Sequence, residues 1–142
     1  MIRAVVGSRW KEKVGEYVKK KAHIHEDLND QYEIIGFVEN DEIVGGLLFS
    51  GYDGHNIWVH LALDHPRVCK RSFIKMLFEY CFNMAKCGRI TAMCKNGYER
   101  NERLLKGVGF TKEGVVRKVM KIDNEFVDGA IYGILKEDCK WV

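Results

Sequence analysis

The sequence predicts an α/β (α+β) domain: a mixed, mostly antiparallel sheet of six to seven strands flanked by helices. Three observations carry this. Residues 32–63 read as three extended segments separated by turn residues. From about Arg67 the apolar spacing changes from a period of two to about 3.6. The last third holds a helix stopped at Gly109-Phe110 and then two extended segments around an Asp123-Asn124 turn.

In chain order, Ile2 to Val6 is a short β-like run, and Ser8 can cap a helix from Arg9 to about Lys21 with Trp10, Val14, Tyr17 and Val18 at helical spacing. Tyr32 to Val38, Glu42 to Ser50 and Asn56 to Leu63 form a meander through Asn40-Asp41 and Tyr52-Asp-Gly-His55. Gly36, Gly45 and Gly46 mark bulges or weak points in it. Phe73, Met76, Leu77, Tyr80, Cys81 and Met84 make one stripe of a helix of about four turns, ending near Gly88. That helix carries the chain back to a strand, Arg89 to Cys94, beside Asn56 to Leu63. A helix over Tyr98 to Val108 precedes the closing hairpin.

One domain, 1–142, accommodates the whole chain, because no linker, repeat or low-complexity segment divides it and Pro66 is the only proline. A net charge of +3 is too weak to argue nucleic-acid binding. Five cysteines, an odd number without a C-x-x-C pair, read as reduced core thiols. With no run of about 18 apolar residues and no leader pattern, the expectation is a cytoplasmic protein away from membranes.

The run Gly109-Phe110, Glu113-Gly-Val-Val-Arg117, Val127-Asp128 and Tyr132 resembles the C-terminal half of the GCN5-related N-acetyltransferases (GNAT), especially the branch acting on ribosomal-protein N-termini. The element order, β-α-β-β-β-α-β-α-β-β, is the one that family adopts. The likeness covers residues 32–137 and is weak over the first 30. It implies transfer of acetyl from acetyl-CoA to a primary amine, with the parallel strands before and after the main helix splayed apart. Their unpaired backbone groups then receive the pantetheine arm as an extra strand would. Leu61, Ala62 and Leu63 are the implied backbone contacts.

The family's pyrophosphate loop, R/Q-x-x-G-x-G/A, falls on Arg67-Val-Cys-Lys70-Arg71-Ser72, which has no glycine. Side-chain charge at a helix start could replace the missing amide cradle, and a solvated helix start is the competing reading. In the following helix the family's asparagine and serine fall on Tyr98 and Asn101, and its thiolate-protonating tyrosine on Leu105. Tyr98, or Asn96 at the strand end, is then the group that could approach the sulfur, against Tyr98 as an ordinary helix-start aromatic. His60 is the candidate general base, against a packed histidine satisfied by a neighbour. Asp64 and His65 are weaker candidates.

His23-Ile-His25-Glu26 lacks a fourth ligand at metal-site spacing and reads as a polar connector lining the acceptor cleft or facing water, with no metal assigned. The lysines of the first helix, Lys11, Lys13, Lys19, Lys20 and Lys21, read as its solvated face and would matter for function only if the acceptor were nucleic acid or an acidic protein. Arg71 to Tyr80 and the ending Lys136 to Trp141 also look like small phage and prophage acetyltransferase-like proteins. That opens two alternatives to an enzyme on small amines or proteins: a non-catalytic virion or host-interaction part, and a base-modifying acyltransferase relative. The acceptor is not legible, and a homodimer is left open.

Overall fold

A computed structural model describes residues 1–142. The chain begins with β1 (Arg3–Val5) and α1 (Ser8–Lys21), then a meander of β2 (Tyr32–Glu39), β3 (Glu42–Ser50) and β4 (Asn56–Ala62). A tight turn at Pro66–Val68 leads into α2 (Arg71–Phe78), which continues as a π-helical segment over Glu79–Met84. There follow β5 (Arg89–Lys95), α3 (Glu99–Val108), β6 (Thr111–Ile122) and β7 (Glu125–Leu135). The seven strands form one sheet in the order β1-β2-β3-β4-β5-β7-β6, antiparallel except for β4 beside β5. No helix is long and apolar enough to cross a membrane.

Period-two alternation sends the side chains of each strand to opposite layers. Ile57 and Val59 enter a core of 25 buried residues with Phe73, Leu77, Phe78 and Phe82 of the α2 segment and Leu105 of α3. Ala62 and Leu48 enter a smaller core of nine beneath α1, with Trp10, Val14 and Val18. The result is three layers, one helix on one face and two on the other.

Both two-residue hairpins use the turns read from sequence. Asn40 and Asp41 have φ of 52° and 64°, and Asp123 and Asn124 have 51° and 65°, the double left-handed conformation these side chains tolerate. Gly109 ends α3 at φ 116°, while Phe110 N–H donates to Leu105 and Gly109 N–H to Lys106, which satisfies the orphan carbonyls.

Four local expectations are corrected. Gly7, at φ 94°, takes the cap position expected of Ser8, and its carbonyl accepts from Trp10 and Lys11. Helix α2 starts at Arg71, and the π-helical segment adds a residue to the turn, which rotates the stripe. Phe78 and Phe82 are therefore buried, and Met84 is 73% exposed. Gly88 does not end the helix by conformation: it is small because the His55 ring lies 2.3 Å from where its Cβ would stand. Of the five cysteines Cys69 is exposed, because its tight turn lies outside the core; the other four are buried.

Gly36 and Gly46 have a packing reason. A Cβ on Gly36 would lie 2.5 Å from Val14 Cγ2, and one on Gly46 would lie 2.8 Å from Val18 Cγ2. The two glycines let α1 settle onto the sheet. Gly36→Ala is expected to cost about 1–3 kcal/mol through overpacking. Gly107→Ala, in open space on α3, is expected to gain about 0.5–1 kcal/mol. Urea unfolding midpoints of the two variants, compared at constant m-value, check the pair.

Candidate active site

The two parallel strands part. Pairing of β4 with β5 runs from Asn56↔Arg89 to Val59↔Ala92 and then stops. Beyond that point β4 stays on β3, through Gly46↔Ala62, and β5 stays on β7, through Lys95↔Gly129. His60 to Ala62 and Met93 to Lys95 thus present facing edges with no ladder partner across the gap. A cavity of about 490 Å³ opens there.

Its walls are apolar where the strands and α3 meet: Leu61, Leu63, Met93, Cys94, Leu104 and Leu105. Cys94 contributes no nucleophile, since burial pushes its thiol up to about 11. Tyr98 and Asn101 reach the cavity from the first turn of α3. Met120 and Ile122 of β6 close one side, and Lys20, Lys21, Ala22 and His23 at the end of α1 close another. A second cavity of about 620 Å³ lies between the loop after β4 and the outer face of α3. Leu63, Asn101 and Leu104 line both. At their junction Arg100 bonds Asp64, through Nη1 to Oδ1 at 3.5 Å and through Nη2 to the backbone carbonyl.

A buried carboxylate fixes α3 over the gap. Glu102, 8% exposed, accepts from Tyr132 Oη at 2.5 Å, Lys112 Nζ at 2.9 Å and Gly97 N–H at 2.7 Å. These donors, the tyrosine hydroxyl foremost, hold its carboxyl down at about 2, and the same contact raises Tyr132 beyond its burial. One side chain so ties the helix to the turn after β5 and to both strands of the last hairpin.

The residues proposed from sequence divide into two groups. Leu61, Leu63, Tyr98 and Asn101 come together around the cavity. The others lie elsewhere. Ala62 faces α1 with its side chain. His60 also faces that layer, its Nε2 3.4 Å from Ser50 Oγ, and burial drops its pKa to about 4, so it is neutral at pH 7. Asn96 turns its carbonyl oxygen to Lys112 Nζ at 3.0 Å. Arg67 sits in the turn before α2, where Glu39 takes its guanidinium in a two-pronged pair at 2.8 and 2.6 Å. At the start of α2, Lys70 lies over Phe73 and Arg71 over Trp141, at 5.6 and 5.3 Å from the ring centroids. Ser72 is exposed beside them, and no side chain caps that helix.

The fold is that of the GCN5-related N-acetyltransferases. A chimera of the Vibrio cholerae spermidine N-acetyltransferase SpeG with hSSAT superposes with a TM-score of 0.72, over 96% of each chain at 12% identity. Likeness at that identity speaks for the fold alone. Two Bacillus subtilis proteins are similar in sequence. The uncharacterized N-acetyltransferase YnaD is 25% identical over 83% of this chain and 73% of its own length. The probable N-acetyltransferase YjcK is 28% identical over 74% of this chain and 56% of its own length. No family model matches the chain. Nothing in these likenesses speaks for a virion or base-modifying role.

Sequence reasoning missed Glu102, Lys112 and Arg100; His23, from the connector read as lining an acceptor cleft or facing water, and Lys20 and Lys21, read as solvated face, line the cavity. Glu102 had a signal: it is an acid on the stripe shared by Tyr98 and Leu105, a position that is buried only when partnered.

Two outcomes follow. Between pH 6.5 and 4 the unfolded chain protonates His60 and the folded chain does not, so stability is intact above 6.5 and declines as pH falls toward 4. The loss should reach about 3 kcal/mol. Urea midpoints measured across that window for the parent and His60→Gln check this, the variant lacking that part of the slope. Tyr132→Phe leaves Glu102 short of a buried donor and should cost about 1–3 kcal/mol in the same assay at pH 7.

Proposed function

We propose that this chain is an acetyl-CoA-dependent N-acetyltransferase that acts on a primary amine by direct attack. The observation that carries the proposal is the gap between β4 and β5 beyond Val59 and Ala92, with its apolar cavity. The pantetheine arm of CoA is a chain of amides and methylenes. Two strand edges without ladder partners suit the amides, and the leucines and Met93 suit the methylenes. The likeness to YnaD, an uncharacterized N-acetyltransferase, and YjcK, a probable one, points the same way.

In this reading Leu61, Ala62 and Leu63 offer backbone groups to the arm. The second cavity takes the nucleotide end. The uncapped start of α2, with Lys70, Arg71 and Ser72, lies on the phosphate side. Arg67 has no free charge to give, because Glu39 already holds it.

Acetyl-CoA supplies an activated acyl group; the amine nitrogen attacks the thioester carbonyl, the C–S bond breaks, and the thiolate takes a proton. In this reading Tyr98, which lines the cavity, donates that proton, and Asn101, which lines it too, holds the arm. His60 lies at the root of the gap as a neutral base, outside the wall, so its part in proton removal is indirect. Positioning and loss of water carry most of the rate in such a scheme.

Calorimetric titration with acetyl-CoA tests the reading. Saturable binding and release of free thiol in the presence of an amine are expected; absence of heat in the parent protein would overturn it. Tyr98→Phe should lower kcat about 10- to 100-fold with acetyl-CoA affinity unchanged. An unchanged kcat would remove Tyr98 from the chemistry.

A further inference from the structure

The α1 side of the cleft is lined by cations that no partner neutralises. The last turn of α1 carries Lys19, Lys20 and Lys21. Lys19 is half-committed, 3.9 Å from Glu16 and stacked over Tyr32. Lys20 and Lys21 are exposed and in no ion pair, Lys21 lying over the Tyr17 ring at 5.8 Å from its centroid, and both line the cavity between the parted strands. Lys95 lines it from the far side of the gap, at the end of β5, also exposed and in no ion pair. His23 follows on the loop after α1. Against these the cavity wall holds one carboxylate, Asp64, and Arg100 already occupies it.

Lysines at a helix C-terminus complement the helix dipole and need no further explanation. That reasoning covers Lys20 and Lys21 and does not cover Lys95, which ends a strand. What the three share is the cavity.

Resting on the acetyltransferase reading, we propose that the acceptor is an amine carried on an anionic molecule, its carboxylates or phosphate held by Lys20, Lys21 and Lys95 while its nitrogen enters the gap. A polycation would meet three like charges and no free acid. Exposed pairs of this kind are individually weak, so the three lysines together are expected to favour an anionic over a neutral acceptor by about 10-fold. The same field acts on the reacting nitrogen. Nearby cations disfavour an ammonium, so the amine enters in the uncharged form that can attack, in a cavity with no unoccupied carboxylate to serve as a base.

Thiol release is measured for matched pairs, the tripeptide Ala-Glu-Glu against Ala-Lys-Lys and O-phosphoethanolamine against ethanolamine, with spermidine as the polycation. The two pairs separate an acidic peptide from a small phosphorylated amine as the source of the charge. In at least one pair the anionic member should be favoured about 10-fold or more in kcat/KM at low salt, the preference shrinking severalfold at about 0.5 M NaCl. The Lys20→Glu/Lys21→Glu/Lys95→Glu protein should reverse that order and keep its acetyl-CoA affinity within about threefold, and the Gln triple variant should fall between. Binding of Ala-Glu-Glu and O-phosphoethanolamine to protein saturated with desulfo-CoA, followed by calorimetry, reads the same preference without turnover. Faster turnover of spermidine or Ala-Lys-Lys, or acetyl-CoA binding without binding of either anionic probe, overturns the inference and leaves the acetyltransferase reading standing. Loss of acetyl-CoA binding in the triple variants also overturns it, by assigning the lysines to the nucleotide. If the parent protein takes up no acetyl-CoA, the acetyltransferase reading itself fails.

Discussion

The site depends on one constraint: two parallel strands that begin as neighbours and are each held more firmly by the strand on their other side. Between Val59 and Ala92 the shared ladder ends. From there β4 follows β3 and β5 follows β7, both still in register. A sheet opened in this way leaves donors and acceptors at a buried edge without partners, an arrangement that favours an amide-bearing ligand. The leucines of β4 and α3 keep the opening apolar instead of letting it fill as an ordinary core.

Glu102 is the counterpart of that opening. The helix that carries Leu104 and Leu105 to the cavity wall is tied in place by a carboxylate with three donors around it. The cost of leaving such a charge unpaired in the core is far larger than the gain from one more apolar contact. A polar network thereby sets the geometry of an apolar cleft. Tyr98 and Asn101, on the preceding turn of the same helix, inherit their places from it.

Charge is distributed by which cations find partners. Arg67 and Arg100 are taken up by Glu39 and Asp64. Lys112 belongs to Glu102. Among the residues that line the cleft, Lys20, Lys21 and Lys95 are left without an ion pair. In a chain with a net charge of only +3, the cleft itself therefore carries three unpaired cations and no unpaired carboxylate.

The element order was legible because it rests on local rules. The switch of period near Arg67, the Asn40-Asp41 and Asp123-Asn124 turns and the stop at Gly109 each act within a few residues, where backbone conformation and side-chain spacing leave few choices. The resemblance to the GNAT pattern correctly anticipated the parting of β4 and β5, since it pairs strands that the chain places in parallel. The phase of the stripe beyond Phe78 was not legible, because a π-helical segment has no local signature in these residues. Nor were the roles of Arg67 and Lys20, which hold opposite places from those their sequence neighbours suggest. Arg67 looked free and is paired with a residue 28 positions away, whereas Lys20 looked like solvated surface and faces the cleft. The sequence by itself determined the elements and their order along the chain, because periodicity is local. Only the tertiary structure decided which charges are spent and which are left, because an ion pair is settled by which side chains distant segments bring within reach.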